Sequence, residues 1–214
     1  PFSSRCCQHN HGQGWAYFTE NLFMATPDNG LAAVLYAAGS VTAKVSDGKE
    51  VTVTNNSNYP FTERLDFTVN TSEAVEFPLY FRIPAWAKHA SVALNGEALD
   101  TNPSANTYLR IEREWKDGDQ VTLTLPKELG LRTWEANNNS VSLDYGPLTF
   151  SLKIEEEYPT KNSSQTAVWD SKWQKDADVE KWPSFEIHPA SPWNYGLILD
   201  KEHLEDSFTI ETKS

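Results

Sequence analysis

Apolar residues recur with two different periods along this chain. Over residues 15–25, Trp15, Phe18, Leu22 and Ala25 keep helical spacing, and Tyr17, Phe23 and Met24 widen their face until little but Thr19, Glu20 and Asn21 stays polar. That predicts a short helix buried on most sides. It follows a polar, Gly-containing stretch from Gln8 to Gly14 and ends at the turn residues Pro27, Asp28, Asn29 and Gly30.

After Gly30 the period falls to two. Runs rich in β-branched and aromatic residues at 31–36, 41–45, 50–54, 64–70, 75–83, 91–94, 107–112, 120–125, 140–144 and 147–154 predict ten short strands. Asp47-Gly48 reads as a two-residue hairpin turn, because both central positions of that turn prefer positive φ, and Asn95-Gly96 and Asp117-Gly118 punctuate later runs in the same way. Val121, Leu123 and Leu125 alternate with Gln120, Thr122 and Thr124, as a sheet with one wet face requires. Strands at this spacing with almost no helix between them predict a mainly β chain, an antiparallel β-sandwich preceded by a short helix.

Beyond Glu155 the pattern dissolves. Residues 155–164 are charged and Ser-rich and read as a loop or hinge; residues 170–181 read as a short amphipathic helix or an ordered loop. Residues 182–199 carry Trp182, Phe185, Trp193 and Tyr195 among three prolines, which suits an irregular segment packed on a sheet edge.

Composition narrows the function. The 214 residues carry a formal charge of −12, which repels a phosphate backbone and an anionic lipid surface alike, so nucleic acid and membrane partners are excluded as expectations. No apolar run approaches the ~18 residues needed to span a bilayer. The two cysteines, Cys6 and Cys7, are adjacent. Neighbouring Cα atoms lie about 3.8 Å apart, below the roughly 4.4 Å minimum of ordinary bridges, so they read as two thiols. The chain opens on Pro1 without a Met or an apolar signal core, which predicts a piece of a longer polypeptide.

Chemistry concentrates in Cys6-Cys7-Gln8-His9-Asn10-His11. A thiolate is both a nucleophile and a zinc ligand; two adjacent ones can hold one metal, and His9 or His11 can add nitrogen. The competing reading is two small hydrophobes followed by surface histidines. Gly12-Gln13-Gly14 opens like a dinucleotide fingerprint but lacks the third glycine, the preceding strand and any βαβ unit. Glu155-Glu156-Glu157 reads as a solvated run, and His89, His188 and His203 have no partner visible in sequence. The eight tryptophans can stack on sugar rings, although core packing is expected to claim most of them.

Taken together these segments resemble the carboxyl-terminal part of glycoside hydrolase family 127 and its relatives, typified by β-L-arabinofuranosidases. Cys6-Cys7-Gln8-His9-Asn10 is similar to that family's Cys-Cys-x-x-Asn motif. The likeness continues in order through Ser57-Asn58-Tyr59-Pro60-Phe61, Arg82-Ile83-Pro84-Ala85-Trp86, Leu94-Asn95-Gly96-Glu97, Trp115-Lys116-Asp117-Gly118-Asp119 and Tyr145-Gly146-Pro147-Leu148. It covers about residues 5 to 155, and Pro189-Ala190-Ser191-Pro192-Trp193-Asn194-Tyr195 fits relatives too.

The resemblance implies an (α/α)6 barrel followed by β-sandwich domains. Residues 1–29 would be the end of the barrel, 30–155 the sandwich and 156–214 a Trp-rich segment packing on or completing it. Cys6 would be the nucleophile of a retaining glycosidase and a ligand of Zn2+, and Cys7 a second ligand. A further Glu and Cys ligand and the carboxylate acid/base would lie upstream, in a barrel missing from this chain, so the 214 residues alone are expected to be inactive. The carbohydrate substrate would be a plant-polysaccharide side chain such as a β-L-arabinofuranoside, in bacterial polysaccharide utilisation of unassigned compartment. Gln13 stands where relatives often carry Arg, which points to a different subgroup and keeps an acidic or branched pectic sugar as a competitor. Two non-catalytic readings stand beside this one: a sandwich that binds polysaccharide through exposed aromatics, and a sandwich that buttresses the barrel.

Overall fold

Alternation of buried and exposed side chains along each strand places one face of two sheets in a common core. The computed structural model describes residues 6–161, 180–181 and 184–212. These fall into two units, Phe18–Phe150 and the described residues of Pro1–Tyr17 with Ser151–Ser214.

Within Phe18–Phe150 the strands are β1 (Phe23–Ala25), β2 (Leu31–Ala33), β3 (Gly39–Val45), β4 (Lys49–Asn55), β5 (Arg64–Thr71), β6 (Val75–Ile83), β7 (Ser91–Leu94), β8 (Glu97–Ala98), β9 (Thr107–Trp115), β10 (Asp119–Thr124), β11 (Leu129–Trp134), β12 (Ser140–Tyr145) and β13 (Leu148–Thr149). One sheet runs β1-β2-β6-β9, a second β3-β4-β5-β10-β7-β8 and a third β11-β12-β13. All these pairings are antiparallel except β2 with β6, which is parallel. The expected β-sandwich is therefore present, with one parallel joint in its smaller sheet.

The core lies between the first two sheets. Leu79, Phe81 and Ile83 of β6 meet Leu65 and Phe67 of β5 and Val121 and Leu123 of β10, all at most 1% exposed. Phe67 and Phe81 stack edge-on across the interface with centroids 4.9 Å apart. Trp115 closes one end, fully buried, its indole N–H donating to the Phe77 carbonyl at 2.9 Å. The register sets Leu65 opposite Leu123 and Phe67 opposite Val121, so a one-residue slip would turn this face outward.

Pro78 sits inside β6 without breaking it. Its carbonyl faces Gly30, and in a strand the N and C=O of one residue point to the same side, so the missing N–H lies past the end of β2, which pairs only with Leu79–Phe81.

Several local expectations are corrected. The helix α1 spans Cys6–Glu20, earlier than the expected 15–25, and Phe23–Ala25 is a strand. Turn chemistry is the reason: the Gly30 amide bonds the Thr26 hydroxyl at 3.0 Å and the Thr26 amide bonds the Gly30 carbonyl at 3.1 Å, which folds Phe23–Ala25 back onto Leu31–Ala33. Nor is the helix buried on most sides, since Trp15 and Tyr17 are each 64% exposed. The Asp47-Gly48 turn is a three-residue loop, with Val45 opposite Lys49 and positive φ at Ser46 and Gly48. Asn95-Gly96 is the expected two-residue turn, both residues at positive φ between paired Leu94 and Glu97. The strand expected at 147–154 shrinks to Leu148–Thr149, and β11 was not expected at all.

In the other unit, β14 (Glu156–Glu157) pairs with β17 (His188–Pro189), and β15 (Thr160–Lys161) with β16 (Ser184–Phe185). A single turn of helix, α2 (Leu204–Ser207), follows. The segment at 182–199 was expected to pack its aromatics, yet Trp193 and Tyr195 are 63% and 67% exposed. Most of the segment expected as a helix or ordered loop at 170–181 lies outside the described residues. No helix among the described residues is long and apolar enough to cross a membrane.

Candidate functional site

Cys6 and Cys7 are the first two residues of α1, followed by Gln8, His9 and Asn10 on the same helix. The side chains of residues 6–9 lie outside the described part of the structure, so the proposed nucleophile and ligands are located by backbone alone. His11 is exposed, and its Nε2 accepts a hydrogen bond of 3.4 Å from the Trp15 indole one turn later, the rings meeting edge-on at 6.4 Å. Among the described residues no group of three or more His, Cys, Asp or Glu can hold a metal ion.

The sandwich motifs that resemble the family turn out to fix turns and buried corners. Asn55, buried at the end of β4, accepts the Ser57 amide at 3.0 Å. Tyr59 packs edge-on against Tyr36 at 5.7 Å. The Tyr36 hydroxyl donates to the Arg82 carbonyl at 2.6 Å, and the Arg82 guanidinium bonds the Val34 carbonyl and lies over the Tyr36 ring. Burial pushes the Tyr36 phenol well above the usual tyrosine range. Asp117 accepts from the Thr71 amide and the Asn70 side chain at 3.1 Å each, and Asp119 from the Lys116 amide at 2.9 Å and the Asn95 side chain at 2.8 Å. These residues hold the strand connections in place.

A different cluster lies on the outer face of the β1-β2-β6-β9 sheet. Residues there alternate away from the core: Ala32 on β2, Tyr80 on β6, and Tyr108, Arg110 and Glu112 on β9. Ala32 stands opposite Tyr80, and Tyr80 opposite Arg110. Because Ala32 is small, a shallow depression of about 480 Å³ forms over it, lined also by Thr26, Pro27, Asp28, Tyr80 and Tyr108. The Tyr80 hydroxyl donates to Asp28 Oδ2 at 2.6 Å and accepts from Arg110 Nε at 2.8 Å. Arg110 Nη1 donates to Glu112 at 2.6 Å, and Arg110 Nη2 reaches Asp28 at 3.5 Å. The Thr26 hydroxyl, then Tyr80 and Arg110, hold the Asp28 carboxyl below the usual carboxylate range. The bond to Asp28 pushes the Tyr80 phenol up. Sequence reasoning missed this cluster, though Tyr80 and Arg82 on one strand and Tyr108, Arg110 and Glu112 on another already alternate with the apolar core positions.

The tryptophan expectation also needs correction. Among described tryptophans Trp115 is in the core and Trp86 packs half-buried against it, whereas Trp15, Trp134 and Trp193 are between 48% and 64% exposed. One face of the Trp134 ring is covered by Arg132 at 5.1 Å.

Comparison with known proteins bears on the sandwich. Residues 30–127 match the family model described as Beta-L-arabinofuranosidase, GH127 middle domain. The match covers just under half of the chain, from the start of β2 through β10, and does not extend to Cys6 and Cys7 or to the third sheet. A solved structure described as a glycoside hydrolase is 32% identical with a TM-score of 0.52, over 57% of this chain and 21% of that one. A GH127 β-L-arabinofuranosidase from Geobacillus stearothermophilus T6 is 23% identical with a TM-score of 0.61, over 86% of this chain and 34% of that one. The GH127 β-arabinofuranosidase BT3674 is 18% identical with a TM-score of 0.52, over 64% and 27%. The last two likenesses concern the fold. The chain thus spans about a fifth to a third of the length of the structures it matches. No curated protein matches it.

Proposed function

We propose that this chain is part of a retaining glycoside hydrolase with a cysteine nucleophile and a zinc ion, acting on plant-polysaccharide side chains such as β-L-arabinofuranosides. The observation that carries the proposal is the match of residues 30–127 to the GH127 middle domain. The Cys6-Cys7-Gln8-His9-Asn10 motif at the head of α1 supports it.

The donor set of this chain fits zinc only in part. Thiolates are favoured zinc ligands, but Cys6 and Cys7 supply two positions of a tetrahedral shell, and the described residues offer no cluster to complete it. The remaining ligands and the carboxylate acid are assigned to the rest of the protein. Bound there, zinc would supply a positive charge that favours thiolate over thiol. Cys6 Sγ attacks the anomeric carbon, an S–C bond forms and the C–O bond to the leaving group breaks as the acid protonates the departing oxygen. Water then releases the sugar with net retention. Without that acid, whose contribution is about 10²–10⁴ in rate, the 214-residue chain alone is inactive.

The test compares the whole protein with its Cys6→Ser variant on an aryl β-L-arabinofuranoside. The expected outcome is release of the aryl group by the unmodified protein and a loss of about 10³-fold or more in kcat in the variant. Unchanged turnover in Cys6→Ser would refute the nucleophile.

A further inference from the structure

The depression on the outer face of the β1-β2-β6-β9 sheet combines three features of a small-molecule site. Its volume, about 480 Å³, lies within the range of about 300–1,000 Å³ typical of ligand pockets. Its polar groups are fixed in advance, since the lining residues Asp28 and Tyr80 bond each other and are both held by Arg110, which lies outside the lining and is itself bonded to Glu112. And it has an aromatic wall: Tyr108 is 47% exposed beside it, while the ring of Tyr80 is covered by the Arg110 guanidinium at 5.7 Å.

The chemistry of that lining selects a class of ligand. A flat phenol ring suits the C–H face of a sugar, and fixed donors and acceptors at its side suit vicinal hydroxyls. Asp28 Oδ1 is engaged by Thr26 and keeps a lone pair. Asp28 is the one charged residue among those that line the depression, so the lining disfavours an anionic sugar. We propose that this depression binds one neutral saccharide unit, stacked on Tyr108 over Ala32, with its hydroxyls bonded to Asp28.

The choice of a saccharide rests on the glycosidase reading; the location rests on the geometry. The test is titration calorimetry of the 214-residue chain with linear arabinotriose and, separately, trigalacturonate. Three proteins are compared: the unmodified chain, Tyr108→Ala, which removes the stacking face at an exposed position, and Ala32→Leu, which fills the floor. Near-UV circular dichroism reports the Trp115 core in each. The expected result is saturable binding of arabinotriose, weakened about tenfold or more by both substitutions, and trigalacturonate bound about tenfold more weakly than arabinotriose by the unmodified chain. No saturable binding of arabinotriose, equal or tighter binding of trigalacturonate, or undiminished binding by folded Tyr108→Ala would overturn the proposal. None of those results touches the Cys6 assignment, and full activity in Cys6→Ser would leave a measured saccharide site standing.

Discussion

The carboxylate of Asp119 is buried at the start of β10, where an isolated charge would be costly. Burial pushes its pKa up, but the Lys116 amide, the Asn95 side chain and the Arg113 guanidinium together hold it below the ordinary carboxylate value. A carboxyl depressed in the folded state adds stability above its unfolded pKa of about 3.9 and loses it as pH falls through the folded value. The chain should therefore lose stability on acidification below about pH 4. Asp119→Asn should unfold at lower urea at neutral pH, by about 1–3 kcal/mol, and lose less than the parent on acidification. Urea titrations at neutral and acid pH measure both; an unaltered acid dependence in the variant would contradict the role given to this side chain. The motif that contains it, Trp115-Lys116-Asp117-Gly118-Asp119, was legible in sequence as a family likeness. Its physical job was not, because the partners Asn70, Thr71 and Asn95 come from β5 and the β7–β8 turn.

At the scale of elements, two glycines show how context decides the sign of one substitution. A Cβ on Gly30 would meet the Pro78 carbonyl oxygen at 2.1 Å and Pro78 Cγ at 2.6 Å, so the turn between β1 and β2 would have to lift off β6. A Cβ on Gly14 in α1 meets nothing within 4 Å. Gly30→Ala should cost about 1–3 kcal/mol, whereas Gly14→Ala should add about 0.5–1 kcal/mol to the helix. Urea unfolding followed at Trp115 measures the first and far-ultraviolet circular dichroism the second; equal effects would contradict the close packing assigned to Gly30. The same contrast explains what could be read in advance. Strands with strict alternation, such as those around Phe67, Phe81 and Val121, were legible because a half-buried sheet imposes period two. Helix α1 begins nine residues before the span its apolar spacing predicts, because Gly12 and Gly14 weaken a local helical signal that the structure nonetheless sustains. Phe23–Ala25 looked helical until the Thr26–Gly30 turn paired it with β2.

Across the molecule, the core and the cysteine motif fall in different units. The large core cluster runs from Leu31 to Leu125, inside the unit Phe18–Phe150, and the family match covers nearly the same stretch. Cys6 and Cys7 belong to the other unit. The sandwich was therefore readable from one chain, since its alternation is self-contained, whereas the proposed zinc site, with ligands assigned to the rest of the protein, would leave only a pair of adjacent thiols in this sequence. The saccharide depression was hidden for a related reason: Asp28, Ala32, Tyr80 and Tyr108 come together only through the β2–β6 and β6–β9 pairings. Central to the account is a glycosyl–cysteine intermediate. The most direct measurement is to quench the whole protein during turnover of a slow aryl β-L-arabinofuranoside and map the peptides by mass spectrometry. The account predicts a pentosyl adduct on Cys6, absent from Cys6→Ser; an adduct on a carboxylate residue instead, or turnover with inversion at the anomeric carbon, would contradict it.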